Sequence, residues 1–234
     1  MSEPDGATDR EKETVKPSRA QVPGVTQWVE NPTGGRDRGP VALVRAWVEI
    51  LSRPRRFFRT GVAPGDQAPG LVFAATVVLF EEVSRYAVVK LAERGLLSTG
   101  PFDYPAIGGF SPGVAVLALF AILVFVTPAT VHLTAALQTL LLLPVASDRG
   151  GVSETVQVMC YAMAPCLLAG LPSAEVRVLV TAWGAGLYLL GTAVIHNIRL
   201  PVAAIVGAVP AAIIFGYGFR GFQALSVLAA DYGF

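Results

Sequence analysis

Charge is scarce in most of this chain. Charged residues make up 15% of the 234, well below the roughly 25% of a soluble domain. Residues 113–143 hold no Asp, Glu, Lys or Arg over 31 positions, and 178–198 hold none over 21. Such stretches exclude an ordinary soluble fold, because a water-facing helix needs a polar side. As helices rising ~1.5 Å per residue, each is long enough to cross a ~30 Å hydrocarbon layer. Cysteine is nearly absent, with only Cys160 and Cys166. Six positions apart on one helix, they lie about 240° from each other. That argues against a mutual disulfide or shared metal and leaves two buried thiols. Histidine is equally sparse, and neither His132 nor His196 has a partner at ligand spacing. The opening of the chain also lacks the apolar core of a secretory signal, so the first span is expected to direct insertion.

What charge there is gathers at the front. Residues 1–67 hold 11 of the 18 basic and 9 of the 17 acidic residues. The expected organisation is a disordered polar tail over 1–40, an interfacial segment over 41–67, a transmembrane bundle over 68–220 and a short tail over 221–234. Too little apolar surface exists in 1–40 to offset the entropy of ordering it. Within 41–52, Val41, Val44, Val48 and Leu51 recur at helical spacing with Trp47 beside them, opposite Arg45, Glu49 and Ser52. This predicts an amphipathic helix too short and polar to span, ended by Pro54. Arg53, Arg55, Arg56 and Arg59 follow, interleaved with Phe57 and Phe58. Together with Trp47 they form a candidate membrane-docking surface, with guanidinium groups on anionic headgroups and rings in the interface. A basic run abutting a span argues against nucleic acid as the partner.

Five spans are expected after it, over 69–91, 113–143, 152–171, 176–198 and 201–219. The second is overlong and is expected to kink at Pro128. The third is expected to be capped by Ser153. The fold class is thus all-α: a polytopic transmembrane helix bundle of about five spans, preceded by an interfacial amphipathic helix. Lys and Arg near the span ends number seven on one side (Arg45, Arg53, Arg55, Arg56, Arg59, Arg149, Arg199) and four on the other (Lys90, Arg94, Arg177, Arg220). The positive-inside rule then predicts a cytoplasmic N-terminus and an outside C-terminus; residence in the plasma membrane is expected.

Charges left inside the spans are the candidate sites. Glu81, Glu82 and Arg85 fall near the middle of the first span, where each would cost about 2.5–3.5 kcal/mol unpaired. Glu81 and Arg85 share a helix face, as do Glu82 and Arg85, so a locking ion pair or a polar site is expected. Glu154, Gln157 and Tyr161 form a polar stripe on the third span, read as a packing seam or one wall of a hydrophilic cavity. Thr181, Gly184, Tyr188 and Thr192 line one face of the fourth. On the fifth, Ala204, Ala208, Ala212 and Gly216 recur every fourth residue beside Ala203, Gly207 and Ala211, as in close helix packing. No catalytic residue, cofactor or metal set is expected.

Trp47, Pro54 and Phe57 before the first span, Ser153-Glu154 opening the third, Tyr161-Ala162-Met163-Ala164-Pro165 within it and Pro172 closing it form a set. With five spans and a cytoplasmic N-terminus, the chain resembles the Yip membrane family (Ypt/Rab-interacting proteins) in its prokaryotic branch. The resemblance implies a membrane protein without enzymatic chemistry. Eukaryotic members act in vesicle traffic and contact prenylated Rab-type GTPases; their Asp-Leu-Tyr-Gly-Pro type of motif is not in this chain. The expected function is a scaffold or adaptor for membrane organisation or an unidentified protein partner; self-association into a homo-oligomer is left open.

Two rival readings come from other classes. One is a small transporter or channel using the intramembrane Glu and Arg. The other is an intramembrane metalloprotease of the CAAX-processing type, which uses Glu-Glu-x-x-x-Arg with histidines from other helices. Here Glu81-Glu82-Val83-Ser84-Arg85 is one residue short, which turns the arginine by ~100°. The companion Phe-x-x-x-His is missing, since Pro128 and Thr192 stand four before the two histidines.

Overall fold

The structure, a computed structural model, describes residues 40–98 and 107–233. The expected tail over 1–40 lies outside the described residues except for Pro40. The described residues are helical and contain no strand: α1 (Pro40–Ser52), α2 (Pro54–Thr60), α3 (Ala68–Glu93), α4 (Pro112–Ala121), α5 (Thr127–Leu142), α6 (Val152–Ala162), α7 (Ala174–Ile195), α8 (Leu200–Ala211) and α9 (Gly221–Tyr232). A π-turn segment, Ile122–Val126, fuses α4 to α5. A second, Ala212–Gly218, extends α8, and a 3-10 segment, Ala164–Leu168, extends α6.

By length and composition alone, Pro112–Leu142, Ala174–Ile195 and Leu200–Gly218 can cross a membrane. Two further stretches expected to span fall outside those limits for opposite reasons. Helix α3, with 26 residues, is long enough but carries its charges inside. Val152–Leu168 is apolar but shorter. Much of the bundle's outer surface is aliphatic: Leu117, Leu133 and Ile205 are each at least 69% exposed. Apolar surface of that extent belongs against lipid.

Contacts between chain reversals sort the bundle into two ends. At one, the turns around Gly150 and His196 meet: a Cβ on Gly150 would lie 2.7 Å from the Ile195 side chain, and His196 Nε2 is 3.3 Å from Thr155 Oγ1. At the other, the α6–α7 connection crosses α3. A Cβ on Gly170 would lie 2.4 Å from the Glu81 carbonyl, so only glycine lets the two backbones approach so closely.

The N-terminal helices pack in a way the hydrophobic pattern did not anticipate. The buried line of α1 is Ala42, Ala46 and Ile50, each fully covered. The expected apolar stripe points outward, with Val41 at 69% and Val44 at 57% exposure. Small alanines let α1 lie close on its neighbours, and the larger valines are left for the surroundings. Phe57 and Phe58 do not enter a membrane interface; both are completely buried. Phe57 meets the Tyr161 ring edge-on at 4.9 Å. Phe58 sits where a Cβ on Gly191 would lie 3.0 Å from its ring. Trp47 is likewise structural: its Nε1 donates to the Ala164 carbonyl at 2.8 Å. Arg53, Arg55, Arg56 and Arg59 do stay exposed, so the basic half of the proposed docking surface remains and its aromatic half is core.

Three boundaries are corrected. Gly151, not Ser153, caps α6, because Ser153 already lies inside the helix and makes no cap bond. The kink expected at Pro128 is taken up just before it, in the π turn Ile122–Val126: proline has no N–H to close the preceding turn, and the wider turn absorbs the gap. The expected C-terminal tail over 221–234 contains α9, whose Ala224 is fully buried. Arg220, in the left-handed conformation at φ 58°, turns the chain into it.

Candidate functional site: an ion network beside a cavity

The sequence puts Glu81, Glu82 and Arg85 near mid-span. Helix α3 is longer than the bundle is deep, however. From Ala68 to Arg85 it advances ~26 Å, much as α7 does from Ile195 back to Arg177. The three charges therefore lie level with the first turn of α7, at the end of the bundle away from α2. They are almost fully buried, at 4%, 7% and 2% exposure. Arg85 pairs with Glu82, and its other terminal nitrogen lies 3.6 Å from Glu81 Oε1.

The second cation was not anticipated. Arg177, with no exposed surface, places Nη1 3.5 Å from Glu81 Oε1 and donates to the Phe219 carbonyl at 3.3 Å. Ser173 prepares this geometry: its Oγ accepts from the Val176 N–H and donates to Glu175, fixing the start of α7 one turn before Arg177. A signal existed in the sequence, since two carboxylates against one arginine leave a charge unanswered and Arg177 is the sole cation between residues 150 and 198. Arg220 completes the surroundings. Burial, then the nearby Arg85 cation, lowers it from the ordinary arginine range, while Glu81 and Glu82 act in the opposite direction. Arg177 is thus a buried partner of Glu81 and not an interfacial orientation charge of the kind expected.

Glu81 and Glu82 also line a cavity of about 190 Å³. Its walls come from α3, the α4–α5 helix and the end of α8, and both π-turn segments contribute, through Ile122, Val126, Ile214 and Gly218. Widened turns of this kind often mark functional sites. Thr127 and Thr130 add hydroxyls to an otherwise apolar wall.

The polar stripe of the third span serves a different purpose. Gln157 is fully buried and grips the backbone of Ala63: Nε2 donates to its carbonyl at 2.6 Å and Oε1 accepts from its N–H at 3.1 Å. Tyr161 is enclosed by Phe57 and Phe73. Glu154 stays partly buried in the first turn of α6, at the favourable end of the helix dipole. The stripe seals the α2–α3 loop onto the bundle rather than lining a cavity. Thr181, Gly184, Tyr188 and Thr192 are buried as a seam, and Tyr188 donates to Gln138 at 2.8 Å. On α8, Ala203, Gly207 and Ala211 are buried, while Ala208 and Ala212 line an apolar groove shared with α7 and α9.

The histidines lie elsewhere. His132 Nδ1 donates to the Pro128 carbonyl, and its Nε2 lies 2.7 Å from the Gln67 side-chain amide at the start of α3. His196 is 2% exposed beside Thr155. Among the described residues, no three His, Cys, Asp or Glu side chains converge as a metal site.

A bundle of apolar helices that buries its charges in one network defines an integral membrane protein. The Yip1 domain family model matches residues 48–219. The chain belongs to the Yip1-domain family. No curated protein and no solved structure matches it.

Proposed function

We propose that the protein is a non-enzymatic scaffold or adaptor of the plasma membrane, of the prokaryotic type in its family. It crosses five times with α1 and α2 at the cytoplasmic face and the C-terminus outside. The observation that carries this reading is the state of α2. Burial of Phe57 and Phe58 holds the helix rigidly on the bundle and leaves Arg53, Arg55, Arg56 and Arg59 facing outward as a fixed basic platform. Such a platform suits anionic headgroups and an acidic surface of a partner protein. Charge placement supports the orientation. With Arg177 drawn into the network, Lys90, Arg94 and Arg220 are left of the four cations assigned to the outer side, against seven inside.

The test compares the native chain with a variant in which the four α2 arginines are changed to Glu, each purified from native membrane. Co-purifying lipids and proteins are identified by mass spectrometry. Loss of anionic lipid and of bound protein partners, with the melting temperature unchanged, is the expected result. An unchanged profile would refute the platform. The cavity beside Glu81 and Glu82 favours a second reading, a small transporter or channel; flux into vesicles holding the pure protein, abolished by Glu82→Gln, would put it ahead.

A further inference from the structure

The arginines of the network use only part of what the two carboxylates offer. Arg85 and Arg177 meet Glu81 Oε1, and Arg85 meets Glu82 Oε2. Among the described residues, Glu81 Oε2 and Glu82 Oε1 have no protein donor. The Glu81 side chain is 5% exposed and that of Glu82 10%, and both line the cavity. The guanidinium groups do not line it; they stand behind the carboxylates, so the cavity meets the acceptor side of the network.

A second, independent observation concerns the opposite wall. Thr76, Thr139 and Thr181 donate their hydroxyls back to helix carbonyls four residues earlier. Thr127 and Thr130 line the cavity, and among the described residues neither hydroxyl has a partner. They follow the π turn, where the pitch that normally supplies the fourth-residue carbonyl is disturbed. Carboxylate oxygens and free hydroxyls therefore share a space whose remaining walls, such as Ile122, Val131 and Phe219, are apolar.

We propose that this cavity binds a primary ammonium group carried on an apolar chain. Three N–H donors match the two carboxylate oxygens and a threonine hydroxyl, and the carbon chain covers the aliphatic wall. An anion would face two carboxylates. A bare metal ion would leave most of the space and all of the apolar wall unused, since a water molecule takes up only ~30 Å³. The ammonium has two sources with the same chemistry: a free alkylamine, or the ethanolamine head of a membrane lipid. The inference does not depend on the scaffold reading.

The experiment titrates n-hexylammonium, n-hexanol and hexanoate by calorimetry into the full chain held in phosphatidylcholine nanodiscs. One saturable hexylammonium site per chain is expected, with hexanol at least roughly tenfold weaker and hexanoate silent. Ile122→Phe, which fills the cavity, should abolish binding. Thr130→Val, which adds no bulk, should weaken it roughly 3- to 10-fold. Equal binding of hexanoate, or an unchanged affinity in Thr130→Val, overturns the site; so does unchanged binding in Ile122→Phe. Repeating the titration in phosphatidylethanolamine nanodiscs separates the sources. A fall in apparent hexylammonium affinity assigns the site to the lipid head, and an unchanged affinity assigns it to a free amine.

Discussion

The two ends of this molecule solve the same problem with opposite chemistry. At the α2 end, the buried contacts are made by neutral groups: Gln157 clasps the Ala63 backbone, Trp47 takes the Ala164 carbonyl, and Phe57 and Phe58 pack into the core. At the far end, two carboxylates and their arginines are buried together, and a cavity is left beside them. A neutral hydrogen bond is complete with one donor and one acceptor. Buried ions need several partners each, and the helices that bring them leave gaps. One end is therefore suited to holding a shape and the other to accepting something.

The contrast can be broken at several points. The largest effect belongs to the charged end. Glu81→Ala strands Arg85 and Arg177 against one remaining carboxylate and should lower stability by about 3–5 kcal/mol. Adding Arg85→Ala should recover part of that loss. Thermal melting in detergent decides: identical midpoints for the single and double variants would mean that pairing is not what holds this helix. Next, Phe58→Ala should cost about 3 kcal/mol, since it empties the seat against Gly191. Proteolysis between α2 and α3 should accelerate with it, and resistance equal to the native chain would show that α2 is held by something else.

The smallest effect sharpens the neutral end: Trp47→Phe removes one hydrogen bond and should cost about 1 kcal/mol by chemical denaturation.

The membrane class and the helix pattern were legible because lipid leaves a coarse signature, a long run without charge. The pairing of Arg85 with its glutamates was legible because one helix turn brings them together. Arg177 reaches Glu81 across 96 positions, and only the unbalanced charge count hinted at it. The aromatics of α2 are ambiguous in sequence for a different reason. A phenylalanine beside arginine suits a bilayer surface and a protein core equally, and the glycine that receives Phe58 lies on α7, far along the chain. On α1 the valines drew attention because they are more apolar than alanine, yet the alanines face the bundle because they permit closer approach. The stretch 221–234 looks like a tail because it is too short to cross a membrane, and the partners of its apolar Ala224, Val227 and Leu228 are set only in three dimensions.

Both native thiols, Cys160 and Cys166, have no exposed surface. Water-borne maleimides should therefore pass them by in the intact protein. A single cysteine introduced at Arg55 or at Gln223 can then be labelled from either side of sealed cells without first stripping the chain of its own sulfur, and which side reacts will give the facing of α2 and of α9 directly.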